Sequence, residues 1–373
     1  MKTFSKPYTK NQNINTRPEV ELLLSCARTQ IDDERAQRIK SLVKEDIDWQ
    51  YLIATAYRHK LMPLLYNSLN KICANAVPNE AFNQLRELFQ RNAQRNLFLS
   101  GELLKILGLL KERGIVALPY KGQVLATAIY GNLALRQSGD LDVMVQQPDV
   151  LEFKEVLLSL GYQPEIKLTP SQERAFLQAK TEHSYNFFNQ DKAILLEIHW
   201  RIAPKYTCPI EAKDLWDKLE PFAFFGTTIP NLSLEDWLPI LCVHGSRHRW
   251  EVVGWLADIA ELIRNHPGIN WEKVIAQSNK FGCRRILFLG LFLVNELLGV
   301  SIPTEVWQRI KADSEVTSLA DSVCKDFFPE TDAPERFLTT TIYQIRVRER
   351  LQDKLLYLES FLLWLRTREN TFS

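Results

Sequence analysis

The spacing of the apolar residues changes twice along this chain, and that change limits its fold more than any other feature. Up to Arg113, apolar residues recur at steps of three and four, the spacing of one helix face. From Ile115 to about Leu232, short apolar runs and alternating segments separated by turn residues replace that spacing. This predicts strands mixed with helices. From Ser233 the helical spacing returns. The pattern predicts an α+β protein, with a mixed sheet and its helices in the middle and helical regions at both ends. The expected boundaries are a disordered tail over 1–18, a helical region over 19–114, the sheet-bearing segment over 115–232 and a second helical region over 233–373.

Within that frame, Asp48 caps a helix through WQYLIATAYRHKLMPLLYNSL, and RNLFLSGELLKILGLLKERG forms another that stops at Gly114. IVALPY, DLDVMVQ, HSYNFF and AILLEIHWRI read as strands. GQVLATAIYG and DVLEFKEVLLSLGY read as helices. Thr169, Pro170 and Gln172 form a capping box that starts a helix reaching about Lys180. PFAFFGTTIPNL reads as a closing hairpin. Ser233 and Asp236 begin a helix through WLPILCVHGSRHRW, and Asn270 caps WEKVIAQSNKFG. Leu351, Leu355, Leu358, Leu362 and Leu365 sit at steps of four, three, four and three, which predicts an amphipathic helix packed on the body.

Composition excludes several classes. Of 373 residues, 46% are hydrophobic and 24% charged, the profile of an ordinary globular protein. The formal net charge is +1, so no overall bias toward an extended nucleic-acid track or an acidic membrane exists. Cys26, Cys73, Cys208, Cys242, Cys283 and Cys324 are scattered, with no CxxC pair, which fits a reducing, cytoplasmic setting. The N-terminal stretch is polar and lacks the apolar segment of a secretory signal. In RRILFLGLFLVNELLGV the uninterrupted apolar run is only Ile286 to Val294. A spanning helix needs about 20 apolar residues, so this one is expected in the core.

The chemistry gathers in LRQSGDLDVMV. In a strand, alternate side chains share a face, so Asp140 and Asp142 point one way while Leu141, Val143 and Val145 point into the core. Two adjacent carboxylates repel unless a cation relieves them. AILLEIHWRI supplies a third acid, Glu197, on the face it shares with His199 and Arg201. Lys121 and Gly122 fall at a strand-to-helix junction, where free backbone N–H groups, a glycine and a lysine suit a phosphate.

These residues carry a family resemblance. KG…LRQSGDLDVMV followed by LLEIHW resembles the DNA polymerase β-like nucleotidyltransferase superfamily, and more closely the bacterial family described as uncharacterised nucleotidyltransferase. The matching positions are Lys121, Gly122, Arg136, Asp140, Asp142, Glu197, His199 and Trp200. HGSRHRW and WLADIAELI resemble that family as well, so the likeness covers most of residues 20 to 300. Gln123 stands where the superfamily has serine or glycine, and residues 123 to 139 make a longer spacer than usual. Ser138 is the candidate to supply the missing hydroxyl. The resemblance implies a nucleotidyltransferase-fold catalytic segment that binds Mg²⁺, or Mn²⁺ in its place, through Asp140, Asp142 and Glu197. It implies two-metal transfer of a nucleoside monophosphate from an NTP, ATP by default, to a hydroxyl. Lys121, Gly122, Arg136 and Ser138 would bind phosphate, and His199, Arg247 and His248 are candidates to touch substrate. The acceptor, whether protein, RNA end or small molecule, is unreadable.

Two other readings stay open. The same fold could serve as a catalytically silent, nucleotide-sensing or antitoxin-like module. Alternatively, His244 and His248, four residues apart on one helix face, could join Asp258 in a hydrolytic metal centre.

Overall fold

The computed structural model describes residues 17–208, 210–328 and 337–369. The tail expected over 1–18 therefore falls almost wholly outside the described residues. The chain begins with helices α1 (Pro18–Cys26), α2 (Asp33–Leu42), α3 (Trp49–Arg58), α4 (Met62–Ile72) and α5 (Asn79–Glu112). Asp32 and Asp48 cap α2 and α3 by accepting from the N–H groups of Arg35 and Tyr51. The single helix expected from Trp49 onward is two. Pro63 cannot lie inside a continuous helix, because it lacks an N–H and its ring meets the carbonyl four residues back. The chain turns at His59–Leu61, with Lys60 left-handed at φ 58°, and restarts with Pro63 in the first turn of α4. The next helix is longer than expected: α5 runs for 34 residues, roughly 50 Å at 1.5 Å per residue.

The middle of the chain holds β1 (Leu118–Pro119), α6 (Gly122–Tyr130), β2 (Leu141–Met144), α7 (Val150–Ser159), β3 (Gln163–Pro164), α8 (Pro170–Gln178), β4 (Ser184–Asn189) and β5 (Ile194–His199). The short α9 (Lys213–Trp216) and the hairpin β6 (Glu220–Phe224) and β7 (Thr227–Asn231) follow. The capping box at Thr169 and Gln172 is formed. One mixed sheet has the order β1-β2-β5-β4-β3. β2 and β5 lie parallel at its centre, and the other pairs are antiparallel.

The chain ends with α10 (Leu234–Arg247), α11 (Val253–Asn265), α12 (Trp271–Phe281), α13 (Arg284–Leu298), α14 (Thr304–Ala312), α15 (Ser314–Phe327), α16 (Phe337–Arg346) and α17 (Leu351–Glu369). Ser233 and Asn270 cap α10 and α12 as expected. The helix through HGSRHRW stops early, at Arg247. Arg249 and Trp250 are both left-handed, at φ 50° and 60°, and the Trp250 indole folds back over Gly245. A Cβ on Gly245 would sit 2.2 Å from that ring, so the glycine is what permits the turn.

Two cores result. Leu141, Val143, Leu196, Ile198 and Trp200 pack with Phe153 of α7 and with Leu99, Leu103, Ile106 and Leu110 of α5. The larger core joins α1 to α4 with α10, α11, α13 and α15, and takes in Tyr120 and Met144 from the sheet's other face. α5 serves both, since Ala81, Phe82 and Leu85 at its start lie in the helical core. α13 is buried as expected, and no described helix is long and apolar enough to cross a membrane. The leucine ladder of α17 departs from expectation. Leu351, Leu355 and Leu362 are 71%, 56% and 55% exposed, while Asp353 is buried and Tyr357 meets Tyr206 on the inner side. Leu365 lies outside the residues whose side chains are described.

Candidate active site

The parallel register of β2 and β5 sets Asp142 directly beside Glu197 and Met144 beside His199. Because side chains alternate, Asp142, Glu197 and His199 emerge from the face turned away from the sheet core. His199 Nε2 lies 2.8 Å from Asp142 Oδ1 and 3.3 Å from Glu197 Oε2, so one N–H donates to both carboxylates. Among the described residues these three form the group whose atoms lie close enough to share a metal ion. Asp140 stands at the entry to β2, two residues before Asp142. Its carboxylate has no hydrogen bond or ion pair within the described residues.

The electrostatics follow from burial and neighbours. Burial pushes the Asp142 carboxyl up. Lys121 and the His199 hydrogen bond outweigh it and hold Asp142 at about 2. Burial likewise pushes Glu197 up, and His199 brings it below its ordinary value. Burial pulls His199 down, and its bonds to both acids leave it raised. Asp140 is different. Burial and the Asp142 charge push it up against the pull of Lys121 and Lys60.

Lys121 and Gly122 do sit at a strand-to-helix junction. Lys121 precedes α6 with φ 65°, which stores strain beside the acids, and Gly122 follows at φ 49°, which glycine adopts freely. The Lys121 side chain turns inward. Its ammonium is buried 3.6 Å from Asp142 Oδ1 and 3.5 Å from His244 Nδ1, and lies over the Tyr120 ring. It neutralises an acid rather than reaching outward.

Arg136 and Ser138 are both engaged within the protein. Arg136 donates twice to Asp258 of α11, Nε to Oδ1 and Nη2 to Oδ2, both at 2.9 Å. Its Nη1 donates to Ser138 Oγ at 2.8 Å. Tyr130 donates to the same Asp258 at 2.8 Å. The guanidinium is consumed in clasping the loop before β2 to the C-terminal helices, and the Ser138 hydroxyl is spent on the guanidinium. This also removes Asp258 from the expected His244, His248, Asp258 metal centre. The two histidines do adjoin, with rings 5.2 Å apart, but burial and then nearby cations, Lys121 for His244 and Arg247 for His248, pull both below their usual range. Such surroundings disfavour a cation.

The stop of α10 brings Arg247 and His248 toward the sheet, where Arg247 bonds to His248 and to His183. His183, the first residue of HSYNFF, comes within 6.0 Å of His199. Its signal was antiparallel pairing: Ser184 pairs with His199, so its neighbour is carried to the same edge. Trp255, the first residue of WLADIAELI but given no role in the sequence, packs at 5.0 Å from His244 and 5.2 Å from His248.

The sequence profile of a family described as "uncharacterised nucleotidyltransferase" matches residues 45–299, well over half of the chain. The chain belongs to this family. It is thus a nucleotidyltransferase, and its mixed sheet with flanking helices is the α+β architecture expected. A solved structure, the solution structure of the antibiotic-resistance factor ANT(2'')-Ia, aligns with a TM-score of 0.35 and 16% identity. It covers 50% of this chain and 91% of that one. That likeness is too distant to bear on the nucleotidyltransferase's substrates. No curated protein matches.

Proposed function

We propose that this protein transfers a nucleoside monophosphate from an NTP, ATP by default, to a hydroxyl of an acceptor not yet identified. The observation that carries the reading is the register that sets Asp142 beside Glu197, with Asp140, unpartnered among the described residues, at the strand entry. The set fits a divalent cation: the hard carboxylate oxygens of Asp142 and Glu197 converge, and Asp140, pushed up by burial and then by its neighbour's charge, stands two residues away. Asp140, Asp142 and Glu197 would hold the ion or ions, which supply charge neutralisation at the phosphates and acidify an acceptor hydroxyl. His199 holds Asp142 and Glu197 in place by donating to both. α6 begins directly after Lys121, and a helix N-terminus favours an anion. In the reaction, the acceptor oxygen bonds to the α-phosphorus, the bond to the bridging oxygen breaks, pyrophosphate leaves, and the hydroxyl proton passes to solvent or a carboxylate.

Purified protein with Mg²⁺ and each α-labelled NTP, incubated in cell extract, should label an acceptor. Asp142→Ala should abolish labelling and nucleotide binding. Equal, negligible binding by wild type and variant overturns the reading. One observation favours the silent-module alternative: Lys121 and His199 already satisfy Asp142 from within. Tight nucleotide binding with no turnover on any acceptor in the extract selects it.

A further inference from the structure

The acids need a cationic counterpart for the departing phosphates, and most of the cations near them are committed. Four bear electrostatically on the acids and the imidazoles beside them: Lys60, Lys121, Arg136 and Arg247. Lys121 is buried against Asp142. Arg136 is clasped to Asp258. Arg247 is bonded to His183 and His248. Lys60 alone of the four is exposed, with no ion-pair partner among the described residues.

Its placement is built rather than incidental. Lys60 occupies the left-handed corner between α3 and α4, a conformation unfavourable for a side chain of its size. Both flanks of that corner are pinned to the site. Gln137, in the loop leading to Asp140, donates to Tyr57 O at 3.3 Å. On the other side, Gly254 N donates to His59 O at 2.9 Å, and Val253 N donates to His59 Nδ1. The approach there is so close that a Cβ on Gly254 would stand 2.8 Å from His59 O and 3.0 Å from Lys60 Cβ. The next residue is Trp255, which packs on His244 and His248. The corner is therefore wedged between the acidic strand's approach loop and the histidine wall.

We infer that Lys60, contributed by the N-terminal helices, binds the β- and γ-phosphates of the donor nucleotide and the pyrophosphate that leaves. This rests on the transferase reading above and assigns its triphosphate end to a residue outside the acid-bearing segment. As the bond between the α-phosphorus and the bridging oxygen breaks, negative charge grows on that oxygen. An ammonium held there stabilises it.

The test uses the full-length protein in Mg²⁺, titrated with ATP, inorganic tripolyphosphate and AMP. Lys60→Asn is the variant, because asparagine tolerates the left-handed corner, and Lys60→Gly is a second neutral variant should the first fail to fold. A charge-assisted contact of this kind changes affinity by about tenfold or more. The neutral variants should lose about that factor for ATP and tripolyphosphate and keep the wild-type affinity for AMP, and Lys60→Arg should restore most of it. Unchanged ATP affinity in a folded neutral variant, with Asp142→Ala abolishing binding, overturns the inference and leaves the transferase reading standing. Lys60-dependent binding of tripolyphosphate without binding of any NTP overturns both the inference and the transferase reading, since no donor nucleotide is then held. Wild-type protein that binds neither overturns both.

Discussion

At the scale of single residues, the site is an economy of charge. Asp142 is balanced by Lys121 and His199, and Asp258 by Arg136 and Tyr130. Both pairs are buried, so removing one partner strands a charge in a poorly solvating place. Asp258→Ala should therefore cost about 3–5 kcal/mol of stability, read as a lowered urea midpoint at unchanged slope. A cost under 1 kcal/mol would mean that Arg136 finds another partner. The sequence made Asp140, Asp142 and Glu197 legible because an acid in an alternating apolar strand has a known direction. It did not make the true partners of Lys121 and Arg136 legible. An ion pair depends on where a distant chain segment arrives, and Asp258 lies 122 residues beyond Arg136.

At the scale of elements, strands and caps were readable because their causes are local. Alternation marked β2 and β5, and Thr169, Ser233 and Asn270 marked helix starts. The parallel register of β2 and β5 was not readable, since it is fixed by contacts across 55 residues. The leucine ladder misled because spacing reveals a face and not what covers it. The end of α10 misled for a steric reason, the Trp250 ring over Gly245. Gly245→Ala should therefore force α10 and the indole apart, costing about 1–3 kcal/mol and displacing the wall of His244, Arg247 and His248. Thermal unfolding with the near-ultraviolet dichroism of tryptophan checks this. A variant with wild-type midpoint and spectrum would show that the turn has room to yield.

At the scale of the whole molecule, the N-terminal and C-terminal helices share one core, and buried histidines lie at that junction. His59 is held at about 4, chiefly by burial and then by Arg58. Its Nδ1 accepts from Val253 N–H of the C-terminal helices. Burial, with Arg247, holds His248 at about 4 as well. An unfolded histidine takes up its proton near 6.5. Above that pH both states are neutral and stability is full. Between 6.5 and about 4 the unfolded state binds more protons, so stability falls as pH falls. The urea midpoint should drop from pH 7.5 to pH 5, and less steeply in His59→Gln. Equal drops in the two proteins would remove His59 as a cause.

The sharing of α5 between the cores sets the order in which the molecule can be completed. The apolar back of the sheet needs only residues from Leu99 to Ile229, which a ribosome delivers early and consecutively. The other interior takes Val20 at one extreme and Val347 at the other, so it cannot close until Val347 has emerged, and contacts that distant form slowly. Helices α1 to α4, made before α10 to α15, must wait for those partners, and the nascent chain carries their unburied leucines throughout that interval.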